Sequence, residues 1–276
     1  MPRVAASLSS FARTTVARAI AVLLCTGCLA QGAAAAPACV AGPGLAPARV
    51  AKVIDGDTLA LADGSRVRLI GVNAPETRAN DGRPEPGAVE ATRFARRFLG
   101  SGRVGIVVGP DRRDRYGRTL AHVYRDDGES LEAALLAAGL ARQVTVPPNL
   151  GQLDCLREAE RRARAARAGL WRSGGAFAPR PTAMLAPGES GFRLLRGRVS
   201  AVEPAGSAWW VELDGRVSLR IDGADRDYFS LDALRALSGR EVEARGWLIW
   251  RDPARRGSHP PWMMQLRHPA SLAPAA

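Results

Sequence analysis

The chain has 276 residues, 46% hydrophobic and 24% charged, which excludes a disordered polymer and leaves room for one large domain or two ordinary ones. A formal charge of +12 favours polyanionic partners, nucleic acid or an anionic surface, over acidic proteins' usual ligands. Lys52 is the only lysine, however, and a genome's codon bias explains so arginine-rich a chain as readily as phosphate recognition does.

Residues 1–36 read as a signal peptide: Arg3, Arg13 and Arg18 precede a short apolar core over 19–30 and a run of small residues. That core is too short for an ordinary membrane span, so no stable span is expected and the product is periplasmic or secreted. Cys28 after Thr26-Gly27 offers lipoprotein attachment as the second choice. Removal of the segment leaves Cys39 and Cys155, an even pair that predicts one disulfide in an exported protein. Closing so long a loop contributes up to about 4–5 kcal/mol in the chain-entropy account.

A Pro/Gly/Ala leader over 37–46 precedes two predicted strands, 50–61 and 66–72, joined at the Asp63-Gly64 turn signal. This hairpin gathers Asp55, Asp57, Arg68, Asn73 and Glu76. Carboxylates meeting arginines beside a turn suit a hard cation and a phosphodiester; a surface ion-pair cluster on a hairpin explains them equally well at this point. A polar loop (77–87) leads to a helix over 88–99, whose arginines read as a solvated face. Strands at 103–108 and 119–124, a helix at 129–138 closed by Gly139, and a long helix over 151–168 follow.

Between the last two strands lies Asp114-Arg115-Tyr116-Gly117-Arg118. Taken with Ile54-Asp55-Gly56-Asp57-Thr58, the run from Arg68 to Thr77 and the trailing Gly169-Leu170-Trp171, this order resembles the thermonuclease (staphylococcal-nuclease-like) family over residues 47–172. The resemblance implies a mainly β fold with helices, a five-stranded oligonucleotide-binding (OB) barrel carrying three helices. It also implies calcium-dependent cleavage of DNA and RNA to 3′-phosphate products; a preference for single strands and a monomeric state are expected beside it. Carried over position by position, Asp57 is a metal ligand, Arg68, Glu76 and Arg118 are catalytic, and Tyr116 matches the motif's tyrosine in a supporting role; beside these, Asn73 can still ligate the metal through its carbonyl and Asp55 can compensate as a ligand or through water. The chemistry agrees: two guanidinium groups hold a phosphate and a carboxylate orients or deprotonates water.

The chain also departs from the family pattern. Asn73 stands where an aspartate is expected and Ala74 where a threonine is, which weakens calcium binding. Residues 143–146 lack the tyrosines such nucleases place against the nucleotide. A nucleic-acid-binding protein that has lost its metal and most of its catalysis therefore stays open beside the nuclease.

Residues 173–189, rich in Gly, Pro and Ala, read as a linker. Beyond them, strands at 194–202, 209–213 and 217–221, a helix at 231–237 and strands at 241–250 and 263–267 predict a second, small OB-like barrel over 190–271, with a tail at 272–276. It holds five of the six tryptophans, mostly as core; an exposed one beside Arg245 or Arg251 would stack bases.

Overall fold

The computed structural model describes residues 39–79, 82–252 and 259–275, so the signal-like segment and Cys28 lie outside the described residues. Five strands close the first barrel: β1 (Ala46–Asp55), β2 (Thr58–Leu61), β3 (Arg66–Leu69), β5 (Arg103–Arg113) and β6 (Thr119–Tyr124), in the order β1-β2-β3-β6-β5. β3 and β6 run parallel and the other pairings are antiparallel, which is OB connectivity. Alternating apolar residues fill the interior; Leu59, Val67 and Val123 have no solvent exposure.

Two sequence-based strands divide. The stretch 50–61 breaks at Gly56, because Asp55 and Thr58 pair across a tight turn, and the stretch 66–72 breaks at Gly71, whose φ of 79° only glycine adopts without strain. The detached end becomes β4 (Val72–Asn73), paired with β7 (Arg142–Gln143). Three helices cover the barrel: α1 (Ala88–Leu99), α2 (Leu131–Ala137), capped by the Ser130 hydroxyl, and α3 (Leu153–Ala165). Cys155, in the first turn of α3, is disulfide-bonded to Cys39, 116 residues away in sequence. No described helix is long and apolar enough to cross a membrane.

The second barrel repeats this scheme. β9 (Gly191–Ala205), β10 (Ala208–Leu213), β11 (Val217–Ile221), β12 (Glu241–Trp250) and β13 (Trp262–Gln265) close in the order β9-β10-β11-β13-β12, with β11 and β13 parallel and β12 returning to β9. The short helix α4 (Leu231–Arg235) joins β11 to β12. Two edges differ from expectation. Residues 272–274, read as tail, form a strand on β12 because the unpaired edge near Val242 needs hydrogen-bond partners. The stretch read as linker lays β8 (Arg180–Pro181) along β9 and buries Phe177 against Trp171, so it packs rather than dangles.

Candidate active site

The site grows from the turn between β1 and β2. Asp55 Oδ1 accepts the Asp57 N–H at 3.2 Å, which holds the turn closed. A side chain at Gly56 would come within 2.7 Å of the Ala74 methyl and 2.9 Å of Ala91 on α1, so the turn, β4 and the helix meet at an atom-wide gap. That close packing drives Asp57 inward until it is 1% exposed. Its Oδ2 accepts the Ala74 N–H at 2.6 Å and lies 2.8 Å from Arg68 Nη1; its Oδ1 accepts the Thr58 hydroxyl at 3.1 Å.

Arg68 leaves β3 toward the same point. Its Nη1 also donates to the Val72 carbonyl (3.0 Å) and its Nη2 to Asn73 Oδ1 (3.2 Å), fixing the guanidinium plane. Arg118 arrives from the start of β6, donating from Nη1 to the Thr58 hydroxyl at 3.4 Å. Asp114 aims it: Oδ1 accepts the main-chain N–H of Tyr116 and of Arg118, and Oδ2 pairs with Arg118 Nε at 2.7 Å. Burial works against the Asp114 carboxylate, yet these donors outweigh it and hold its pKa below the usual range. Tyr116 is exposed, its ring stacked under Arg115 and Arg118 at 4.8 and 5.3 Å.

Glu76 follows Pro75 at the rim. Its N–H donates to Glu85 Oε2 at 3.0 Å, and its carboxylate remains accessible to water. Surrounding protein desolvates that carboxylate and Asp57 repels it, so its pKa is raised, although Arg68 and Arg118 pull the other way. Both arginines therefore act on the Glu76 carboxylate. Asp55 goes further: desolvation first, then Asp57 and Glu76, push its pKa up to about 7.

The structure thus brings Asp55, Asp57, Arg68, Asn73, Glu76 and Arg118 to one end of the first barrel, with Tyr116 beside Arg118. The cysteine pair lies apart, between leader and α3. The sequence pattern names Asp114 within its motif without giving it a role, and does not mark Glu85. Asp114 was within reach, since an aspartate two residues before Tyr116 and four before Arg118 is an Asx-turn signal. Glu85 sits in a polar loop with no periodicity to mark it.

The donors can be tested against a hard cation. Among the described residues no three of His, Cys, Asp and Glu gather closely enough to hold a metal unaided. Yet Asp55 and Asp57 are all-oxygen donors, and Asp57 repels the Asp55 carboxylate, a repulsion that a cation would offset. The residues fit such an ion provided main-chain carbonyls or water complete the shell. Asn73 is the poorest member, because its Oδ1 already accepts from Arg68.

A closed OB barrel with two arginines and a glutamate around a buried aspartate at one end defines the class. The Staphylococcal nuclease homologue family model matches residues 66–173. The thermonuclease of Staphylococcus intermedius is 37% identical over 125 residues, which span 44% of this chain and 74% of that protein. Endonuclease YncB of Bacillus subtilis is 35% identical over 129 residues (45% and 61%), and an uncharacterized endonuclease of Escherichia coli 33% over 129 (45% and 75%). The chain belongs to the staphylococcal nuclease family.

Proposed function

We propose that the protein is an exported, calcium-dependent nuclease that hydrolyses phosphodiester bonds of DNA and RNA, preferably single-stranded, as a monomer. Family membership makes it a phosphodiesterase of the nuclease type acting on nucleic acid; cation, catalytic residues and compartment are our reading. The observation that carries the reading is the meeting of Arg68 and Arg118 at the Asp57–Thr58 pair, with the Glu76 carboxylate subject to both charges.

In this mechanism Arg68 and Arg118 bind two phosphate oxygens and stabilise the charge that grows on them. Glu76 takes the proton of the attacking water; its raised pKa brings it nearer the working pH of a base. Asp57 and Asn73, helped by Asp55, would hold calcium, which supplies charge neutralisation at the phosphate. Tyr116, whose ring lies against Arg118, would contact a substrate phosphate. We assign catalysis to residues 47–172 and a supporting role to residues 190–271, and the Cys39–Cys155 disulfide supports export.

A calcium titration of single-stranded DNA cleavage tests the reading. Activity should rise with calcium and stop on chelation, and Glu76→Gln should lower turnover far more than binding. The second reading, a nucleic-acid-binding protein without useful metal affinity, draws on Asn73 and on the missing oxygen donor at Ala74. Retained DNA binding with no calcium-dependent cleavage would establish it instead.

A further inference from the structure

The second barrel meets the first directly behind the candidate site. In the β4–β7 pair, Arg142 stands opposite Asn73 and Gln143 opposite Val72. Arg142 is 8% exposed, and its guanidinium lies 4.8 Å from the ring of Phe177 and 4.8 Å from that of Phe192 on β9. Its Nε has no acceptor among the described residues, and two aromatic rings flank the guanidinium. Burial, with Arg193 and Arg245 nearby, pushes its pKa down to about 10 against the pull of Glu85 and Glu160, which leaves it charged at neutral pH. The next residue is held as firmly. Arg245 on β12 donates to the Gln143 carbonyl at 3.2 Å and pairs at 2.6 Å with Glu160, which in turn accepts the Gln143 N–H at 2.8 Å. On the site's side, Glu85 acts electrostatically on Arg142 and is doubly bonded to the Glu76 main chain, accepting its N–H at 3.0 Å and donating to its carbonyl at 2.9 Å.

We propose that Arg142 is a positioning residue of the nuclease site, and that the second barrel, through Phe192 and Arg245, fixes the β4–β7 pair and with it Asn73 and Glu76. The inference rests on the nuclease reading above. Arg142 touches no reacting atom in this scheme. It keeps residues 72–76 where Arg68 and Asp57 can use them, and a displacement of about 1 Å there is enough to cost a hundredfold in rate.

The test uses the full chain with Arg142→Gln, Arg142→Lys and Phe192→Ala, and with Leu219→Ala as control, since Leu219 belongs to the second barrel's own core and not to the seam. With single-stranded DNA, below every variant's melting temperature, Arg142→Gln should lower kcat about ten- to a hundredfold while KM stays within about threefold. Arg142→Lys should recover most of the loss, and Phe192→Ala should fall between. Leu219→Ala should lower the melting temperature alone. An unchanged kcat in Arg142→Gln, or an equal loss in Leu219→Ala, overturns the proposal. Amide hydrogen exchange separates this failure from that of the nuclease reading. Exchange of β4 and β7 should quicken in Arg142→Gln and Phe192→Ala whether or not the chain cleaves DNA, and unchanged exchange in folded variants overturns the bracing. Phe192→Leu serves the same readouts should Arg142→Gln fail to fold.

Discussion

The two barrels share a strand order and differ at the matching turn. Between β1 and β2 the chain buries two carboxylates, Asp55 and Asp57, whereas between β9 and β10 residues 203–207 are exposed and Glu203 is the lone acid. The third strands differ likewise. Arg68 on β3 is 11% exposed and bound to Asp57 and Asn73, while Arg220 on β11 is 40% exposed and pairs with Asp222 near its strand end. Connectivity, then, carries no chemistry by itself; at this turn and third strand the barrels differ in whether carboxylates and their arginine are withdrawn from water.

The largest effect that would sharpen this contrast comes from Glu76→Gln, expected to lower kcat about a hundred- to ten-thousandfold with substrate binding kept, while Trp210→Ala in the second barrel changes kcat little. A comparable loss from Trp210→Ala would erase the division between them. Next in size, Arg245→Ala leaves Glu160 buried without its partner and should cost about 3–5 kcal/mol, read by denaturant melts. Less than about 1 kcal/mol would mean that the Arg245–Glu160 pair adds little to the seam.

Asp114→Ala frees Arg118 from the turn that aims it. Turnover should drop about tenfold, with partial rescue in Asp114→Asn, which keeps an acceptor for the main-chain donors. pH enters through Asp55. Its carboxyl titrates near 7 folded against an ordinary 3.8, so its contribution to stability is full at low pH and is lost as pH rises through about 7. Calcium replacing that proton should therefore raise the melting temperature more at about pH 8 than at about pH 5. A shift that is flat with pH would remove Asp55 from the cation's surroundings. The smallest expected change is in Asn73→Asp, a severalfold tighter calcium midpoint by calorimetry, limited because Arg68 already engages that side chain.

Much of this was legible in the residues themselves. Apolar alternation located nearly all barrel strands, and the Asp-Gly-Asp and Asp-Arg-Tyr-Gly-Arg runs led to the site. What escaped was of two kinds. Asp55-Gly56-Asp57 is itself a turn signal, yet the apolar residues on either side read as one continuous strand through 50–61. Arg142, by contrast, has no local mark. Its partners Phe177 and Phe192 lie 35 and 50 residues downstream, and only the folded seam brings the three together. A lone phenylalanine in the Gly/Pro-rich stretch 173–189 was the available hint that this segment packs.

The placement of the tryptophans has a practical side. Trp171 lies at the seam against Phe177, and the other five belong to the second barrel, so no indole lies upstream of residue 171. Intrinsic fluorescence will follow the C-terminal half and the junction while staying nearly blind to events around Asp57. A titration that leaves emission flat therefore says little about ligand occupancy, and any emission change on adding calcium would be a signal relayed across the junction.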